Sequence, residues 1–206
     1  FAYAGISWGT YLEAVGKTGS SVAMVFDISY SMMAKDAQAG QTRLSASGEY
    51  ASMLLSHIQG SLVSVVLAKG DGATVVPLTE DWAATESILA SLSPGLMSVG
   101  GTSLGKGVRT ALKNFPKKSS ALSSIWIFTD GEETDGLLEG AIADALKSGV
   151  SVCIVGFGSH KGTKVLAGDG KTSIYTALRA ENMKKVCSSA LEKIRSGSYM
   201  PVEAAF

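Results

Sequence analysis

Three uninterrupted apolar runs recur along the chain, each ending in polar residues or glycine: "SVAMVFDISYSMM" from Ser21, "SSIWIFTDGEE" from Ser123 and "VSVCIVGFG" from Val150. A run that is apolar at successive positions, without alternation, fits a strand buried on both faces, and the first, Ser21 to Phe26, should lie in the middle of the sheet. The segments between these runs keep helical spacing. Leu44, Ala51, Leu54, Leu55 and Ile58 share one face of a helix predicted over Arg43 to Gln59, with Gly60 as its stop. Helices are also expected at Trp82 to Leu92, Ser103 to Phe115, Leu137 to Ser148 and Ala177 to Ile194, the last turning Val186, Ala190, Leu191 and Ile194 inward.

Two further β-rich runs, "SLVSVVLAKGDGATVVPLT", are split by Lys69-Gly70-Asp71-Gly72, which is hairpin chemistry. Pro77 cannot donate a ladder hydrogen bond, so the second run belongs at a sheet edge. Thr163 to Tyr175, broken by "GDG", reads as an excursion hairpin, and Ser198 to Val202 as a short strand that closes the sheet. Strands alternating with helices of this length predict an α/β fold, a doubly wound Rossmann-like sheet that is mainly parallel, with one antiparallel edge strand and helices on both faces. Such sheets take ligands where loops leave the carboxyl ends of their strands. Asp27 and Asp130 both stand at such ends.

An aspartate at a strand end is by itself more often a turn or helix cap than a ligand. Here the donors form a set. If the chain stays extended past Asp27, then Asp27, Ser29 and Ser31, two apart, point the same way. Thr102 lies in a glycine-rich approach to a helix, and Asp130 ends another strand. Carboxylates and hydroxyls are hard oxygen donors suited to Mg2+ or Mn2+, and no His or Cys lies among them to favour zinc.

The segments "FDISYSM", "VGGTSLGKGV" and "IFTDGEE" resemble, in order, the three parts of the metal-ion-dependent adhesion site of the von Willebrand factor A domain. With "ISWGTYLEAV", "TRLSASGEYASMLL" and "VVPLTEDW", the likeness narrows to the bacterial Bat proteins of the aerotolerance operon and covers Ile6 to Phe157. The resemblance implies strand order 3-2-1-4-5-6 and a metal site of Asp27, Ser29, Ser31, Thr102 and Asp130. In it Ser29, Ser31 and Thr102 touch the ion, while the two aspartates act through water. It implies a partner-binding rim of Tyr30, Gly101 and Glu132. Tyr30 itself, placed between the motif serines, should point away from the ion if the chain is extended.

Two enzyme motifs overlap the same loop. Gly101 to Gly105 satisfies Gly-x-Ser-x-Gly, and Asp130 and His160 follow Ser103 in hydrolase order. A nucleophile elbow needs a strand directly before its serine, whereas "SPGLMSVG" reads as loop. Gly100 to Gly107 comes one residue short of a phosphate-binding loop, because Gly107 stands where a hydroxyl should hold Mg2+. Lys106 is then expected as a solvated residue of the first helical turn. His57 reads as a helix-surface residue and His160 as a loop residue. Glu132 and Glu133 fit helix-start charges, and Trp8, Trp82 and Trp126 fit packing.

Composition limits the remaining choices. At 206 residues and 21.2 kDa one domain with a sizeable core is expected, divided into a membrane-proximal lead over residues 1–20 and an A domain over 21–206. Apolar residues make up 46%, and 18 basic residues balance 18 acidic ones, which argues against nucleic acid as a partner. Cys153 and Cys187 are too few for a disulfide framework and read as buried free thiols. No apolar run reaches the length of a membrane span. Bat proteins usually carry membrane helices on both sides of this domain, and "FAYAGISWG" resembles the exit from one. The expectation is therefore a soluble domain of an inner-membrane-anchored envelope protein, on the periplasmic face. It would not be an enzyme and would take no small-molecule substrate. It would bind, through Mg2+ or Mn2+, a protein partner that supplies an Asp or Glu carboxylate, such as other envelope proteins of the same operon. Alternatives are a structural A domain with no partner in trans, or a serine hydrolase using Ser103.

Overall fold

The computed structural model describes residues 20–116 and 122–196. Its elements are β1 (Ser21–Asp27), α1 (Arg43–His57), β2 (Leu62–Ala68), β3 (Gly72–Thr79), α2 (Trp82–Ala90), α3 (Leu104–Asn114), β4 (Ser123–Thr129), α4 (Leu138–Lys147), β5 (Ser151–Gly156), β6 (Thr163–Leu166), β7 (Ser173–Thr176) and α5 (Ala180–Ser196). A five-stranded sheet runs in the order β3-β2-β1-β4-β5. Its pairs are parallel except β2 with β3. The doubly wound sheet read from the sequence is present through its fifth strand. The strand expected at Ser198 to Val202 lies outside the described residues, as does nearly all of the lead over residues 1–20. β6 and β7 pair antiparallel with each other in a separate two-stranded sheet, the expected excursion hairpin.

Every residue of β1 is buried, as its unbroken apolar run requires. Ala23 and Val25 face a core shared with Leu104, Val108 and Ala111 of α3, Ala141 and Ile142 of α4, and Ala190 of α5. Val22, Met24 and Phe26 face the opposite core, with Leu44, Ala51 and Leu55 of α1 and Leu89 of α2. Phe26 and Phe128 are neighbours in the β1–β4 register and stack with ring centroids 4.5 Å apart. β3 pairs with β2 alone among the described strands, with register shifts near Val65, and Pro77 is exposed there without interrupting a central ladder.

The first four helices are each two residues shorter than the periodicity predicted, and α5 is shifted toward the C-terminus. α5 starts at Ala180 because the residues before it are tied elsewhere: the Leu178 N–H donates to Ser159 O and the Arg179 N–H to Asp130 O. The cysteines differ from expectation too. β5, expected as a buried strand, is an edge strand of the described sheet in which Val152 alone is buried and Cys153 is exposed; Cys187 is half-buried, and both cysteines are free thiols. Burial, with the Cys153 thiol beside it, raises Cys187 to about 11. Trp126 is buried as a packing residue, whereas Trp82 is half-buried.

Gly107 shows how tightly α3 lies on the sheet. A Cβ placed there would come 2.7 Å from Ala68 Cβ and 2.9 Å from Val25 Cγ1, neither of which is the end of a flexible side chain. Helix propensity alone would make Gly107→Ala stabilising by about 1 kcal/mol. The contact reverses that sign, since overpacking costs about 1–3 kcal/mol. Gly107→Ala is therefore expected to lower the chemical denaturation midpoint, and a raised midpoint would show that α3 can move off β1 and β2 freely.

Candidate metal centre at the carboxyl edge of the sheet

Asp27 is the last residue of β1, and the chain does not stay extended beyond Ser29. Tyr30–Met33 turn as a 3-10 helix. The expectation of a period-two alignment is thus corrected: a turn brings the serines together. Asp27 Oδ1 accepts the Ser29 N–H at 2.9 Å, and the Ser29 and Ser31 hydroxyls lie 2.9 Å apart. The Thr129 hydroxyl donates to Asp27 Oδ2 at 2.8 Å and so couples the ends of β1 and β4. Thr129 Oγ1 also accepts the Gly131 N–H at 3.0 Å, and Asp130 Oδ1 accepts the Glu132 N–H at 3.1 Å.

Thr102 arrives from a third loop. Its N–H donates to Thr134 Oγ1 at 3.3 Å, and its carbonyl accepts the Thr134 hydroxyl at 2.7 Å, so the β4–α4 loop holds it by the backbone. Among the described residues its own hydroxyl makes no side-chain hydrogen bond. The approach of this loop to the β2–β3 turn needs glycine at two places. Gly101 has φ +93°, and a Cβ on Gly70 would sit 1.9 Å from Gly100 O, so the backbones of two loops touch there. Asp27, Ser29, Ser31, Thr102 and Asp130 are all buried.

This donor set is chemically suited to a hard divalent cation. Burial, and then the charge of Asp130, push the Asp27 carboxyl up to about 7. Hydroxyls and carboxylates are the ligands Mg2+ and Mn2+ prefer.

Sequence reasoning missed the group that faces Asp130. Arg43, the first residue of α1, is completely buried. Its Nη1 donates to Asp130 Oδ2 at 2.7 Å and to Thr176 Oγ1 at 2.8 Å. Its Nε and Nη2 make a fork with Asp36 Oδ1 and Oδ2 at 2.7 and 2.8 Å. Asp36 Oδ2 also accepts from the Ser159 N–H at 3.1 Å and the Ser159 hydroxyl at 3.0 Å. Burial alone would raise Asp36, but the hydrogen bonds from Arg43 and Ser159 outweigh it and hold its carboxyl at about 2. The only signal in the sequence was a cation at the start of an amphipathic helix, opposite to what the helix dipole favours.

Around this centre lie the expected rim residues. The half-buried Tyr30 has Lys69 Nζ 4.8 Å from its ring centroid, and a Cβ on Gly168 of the β6–β7 turn would meet Tyr30 Cε2 at 2.5 Å. Lys69 Nζ in turn donates to Pro94 O and Met97 O at 2.7 and 2.9 Å, fixing the loop that leads to Thr102. Glu132 is half-buried, its Oε1 3.8 Å from Arg179 Nε.

The enzyme motifs resolve differently. The Ser103 hydroxyl donates to Asp135 Oδ2, and Asp130 is engaged by Arg43 and the Glu132 N–H, while His160 is exposed in a turn. The hydrogen-bonded series that a triad needs is not formed by Ser103, Asp130 and His160. Lys106, expected in solvent, is half-buried and donates to Gly70 O at 2.9 Å. Glu133 Oε1 accepts the Leu138 N–H at 2.6 Å at the start of α4, the helix-start role expected for it. His57 is exposed at the end of α1.

A family model described as the von Willebrand factor type A domain matches residues 22–133. The fold superposes on BatB from Bacteroides thetaiotaomicron with a TM-score of 0.76 and 26% identity, over 83% of this chain and 86% of that one. It superposes on an aerotolerance-related membrane protein from Bacteroides fragilis with a TM-score of 0.75 and 26% identity, over 83% and 88% of the two chains. Proximal thread matrix protein 1 from the mussel byssus, solved with zinc in its metal-ion-dependent adhesion motif, shares the fold at 17% identity and a TM-score of 0.54, over 66% of this chain and 35% of that one. No curated protein sequence matches. The family match spans more than half of the chain, and the sheet order and crossover pattern agree with it: the chain belongs to the von Willebrand factor type A domain family.

Proposed function

We propose that this A domain is a metal-dependent protein-binding module, with Asp27, Ser29, Ser31, Thr102 and Asp130 holding one Mg2+ or Mn2+. The observation that supports the reading is the burial of all five donors, with Asp27 bonded to the Ser29 N–H, the Ser29 and Ser31 hydroxyls 2.9 Å apart, and Asp130 close enough for its charge to add to burial in raising Asp27. Ser29, Ser31 and Thr102 would offer neutral oxygens to the ion, with Asp27 and Asp130 acting one water away. Bound there, the ion supplies a hard Lewis-acidic centre to which a partner's Asp or Glu carboxylate can add. Tyr30, Gly101 and Glu132 would shape the rim around that carboxylate. The domain is not an enzyme in this reading, and it takes neither nucleic acid nor a small-molecule substrate.

The Bacteroides fragilis relative is described as a membrane protein, which supports an envelope location. Among the described residues no helix is long and apolar enough to cross a membrane. The domain would be the soluble part of an inner-membrane-anchored protein on the periplasmic face, with residues 1–20 nearest the membrane and other envelope proteins of its operon as partners.

Three outcomes are expected. Saturating Mg2+ or Mn2+ should raise the thermal midpoint by mass action, and Asp27→Asn should abolish that rise; equal stabilisation of both proteins by metal would refute the site. Thr102→Ala should lose an envelope partner captured in Mg2+ while its metal-free melting curve stays within about 1 kcal/mol of the parent, the range usual for a substitution that leaves no buried group unpaired. Capture that survives chelator, or Thr102→Ala, would leave the domain a structural one. A fluorophosphonate probe should leave Ser103 unlabelled, because its hydroxyl has a carboxylate partner instead of an imidazole. Stoichiometric labelling that disappears in Ser103→Ala would restore the hydrolase.

A further inference from the structure

We infer that Arg43 is a positioning residue of the proposed metal site, one that sets both the orientation of Asp130 and the net charge a divalent ion meets there. The inference rests on the metal-site reading above and adds to it a residue outside the metal-binding motif. Its basis is geometric. Arg43 is fully buried, and its guanidinium joins Asp130 of the site to Asp36, to Thr176 at the end of β7 and, at 3.4 Å, to the Ser31 carbonyl in the serine turn.

Formal charge shows what this arrangement does. Asp130 and Asp36, both bonded to Arg43, and Asp27, which feels the charge of Asp130, carry three negative charges when ionised, and Arg43 carries one positive charge. The balance is two negative charges, which one divalent ion neutralises. Without Arg43 three negative charges would remain. The ion would then be held more tightly and would have less uncompensated charge for an incoming carboxylate. Arg43 therefore lowers the affinity for metal and raises the affinity for an anionic partner.

Orientation follows from the same contacts. With Oδ2 held by Arg43 and Oδ1 by the Glu132 N–H, the plane of the Asp130 carboxylate is fixed and it cannot rotate toward an ion without straining one of these bonds. A carboxylate so restrained suits a water-mediated role better than a chelating one.

Isothermal titration of the whole chain with MgCl2 and MnCl2 tests this. Arg43→Gln should destabilise the metal-free protein yet bind Mg2+ about tenfold more tightly, since a positive charge close to the ion has gone. Arg43→Lys keeps the charge without the fork and should stay within about threefold of the parent in affinity despite its lower stability. A merely structural role would instead weaken metal binding in both variants, or change it in neither, and that result overturns the inference. If neither variant folds, Asp36→Asn and Thr176→Val decide. Asp36→Asn removes a negative charge bonded to Arg43 and should weaken Mg2+ binding about fivefold, while the charge-neutral Thr176→Val should leave it unchanged; equal effects of the two refute the role. No heat from the parent chain with either metal would refute the metal-site reading itself, and Arg43's role with it.

Discussion

A buried guanidinium is costly unless every donor finds an acceptor, and the site end of this fold is organised around meeting that demand for Arg43. The acceptors come from four separate segments: the serine turn, Asp36 between two 3-10 turns, Asp130 after β4 and Thr176 at the end of β7, while Ser159 in turn donates to Asp36. α1 starts where it must for its first side chain to reach all of them. The Thr42 hydroxyl caps that start by accepting the Ser45 N–H at 3.1 Å. Replacing such a network by apolar packing can be neutral, but removing one member leaves charges stranded, so the segments are bound to one another's placement.

The proposed adhesion site inherits its rigidity from this arrangement. Hydroxyl ligands are weak individually, and a site made largely of them depends on being held in place. Here the holding is done by neighbours that are not ligands: Thr129 on Asp27, Thr134 on Thr102, and Arg43 on Asp130. The glycines at 70 and 101 serve the same end by letting the Thr102 loop lie against the β2–β3 turn.

Much of this was legible in the chain because its signals are local. Unbroken apolar runs marked β1, β4 and β5, Pro77 marked the edge, and the serine and threonine motifs marked the loops at the carboxyl ends of the strands. The rest depended on long-range contact. That Ser29 and Ser31 meet through a 3-10 turn, and not along an extended strand, follows from Asp27 capturing the Ser29 N–H. Arg43 resembled an ordinary helix-start residue because its partners lie 87 and 133 positions away in the chain, at Asp130 and Thr176. Cys153 looked buried because an apolar run does not reveal whether its strand has a neighbour on both sides. Lys106 looked solvated because nothing local predicts that Gly70 O will be within its reach.

Gly158 carries the last consequence. Its φ is +122°, and a Cβ there would come 2.5 Å from Arg43 Nε, so the chain after β5 passes directly over the guanidinium. Positions 43 and 158 are consequently not independent in sequence space. A side chain can be gained at 158 only in company with a shorter one at 43, and the shorter one abandons Asp130. Among homologues the pair should therefore change together or not at all, and a designer who wants to vary the β5–β6 loop meets the charge of the metal site first.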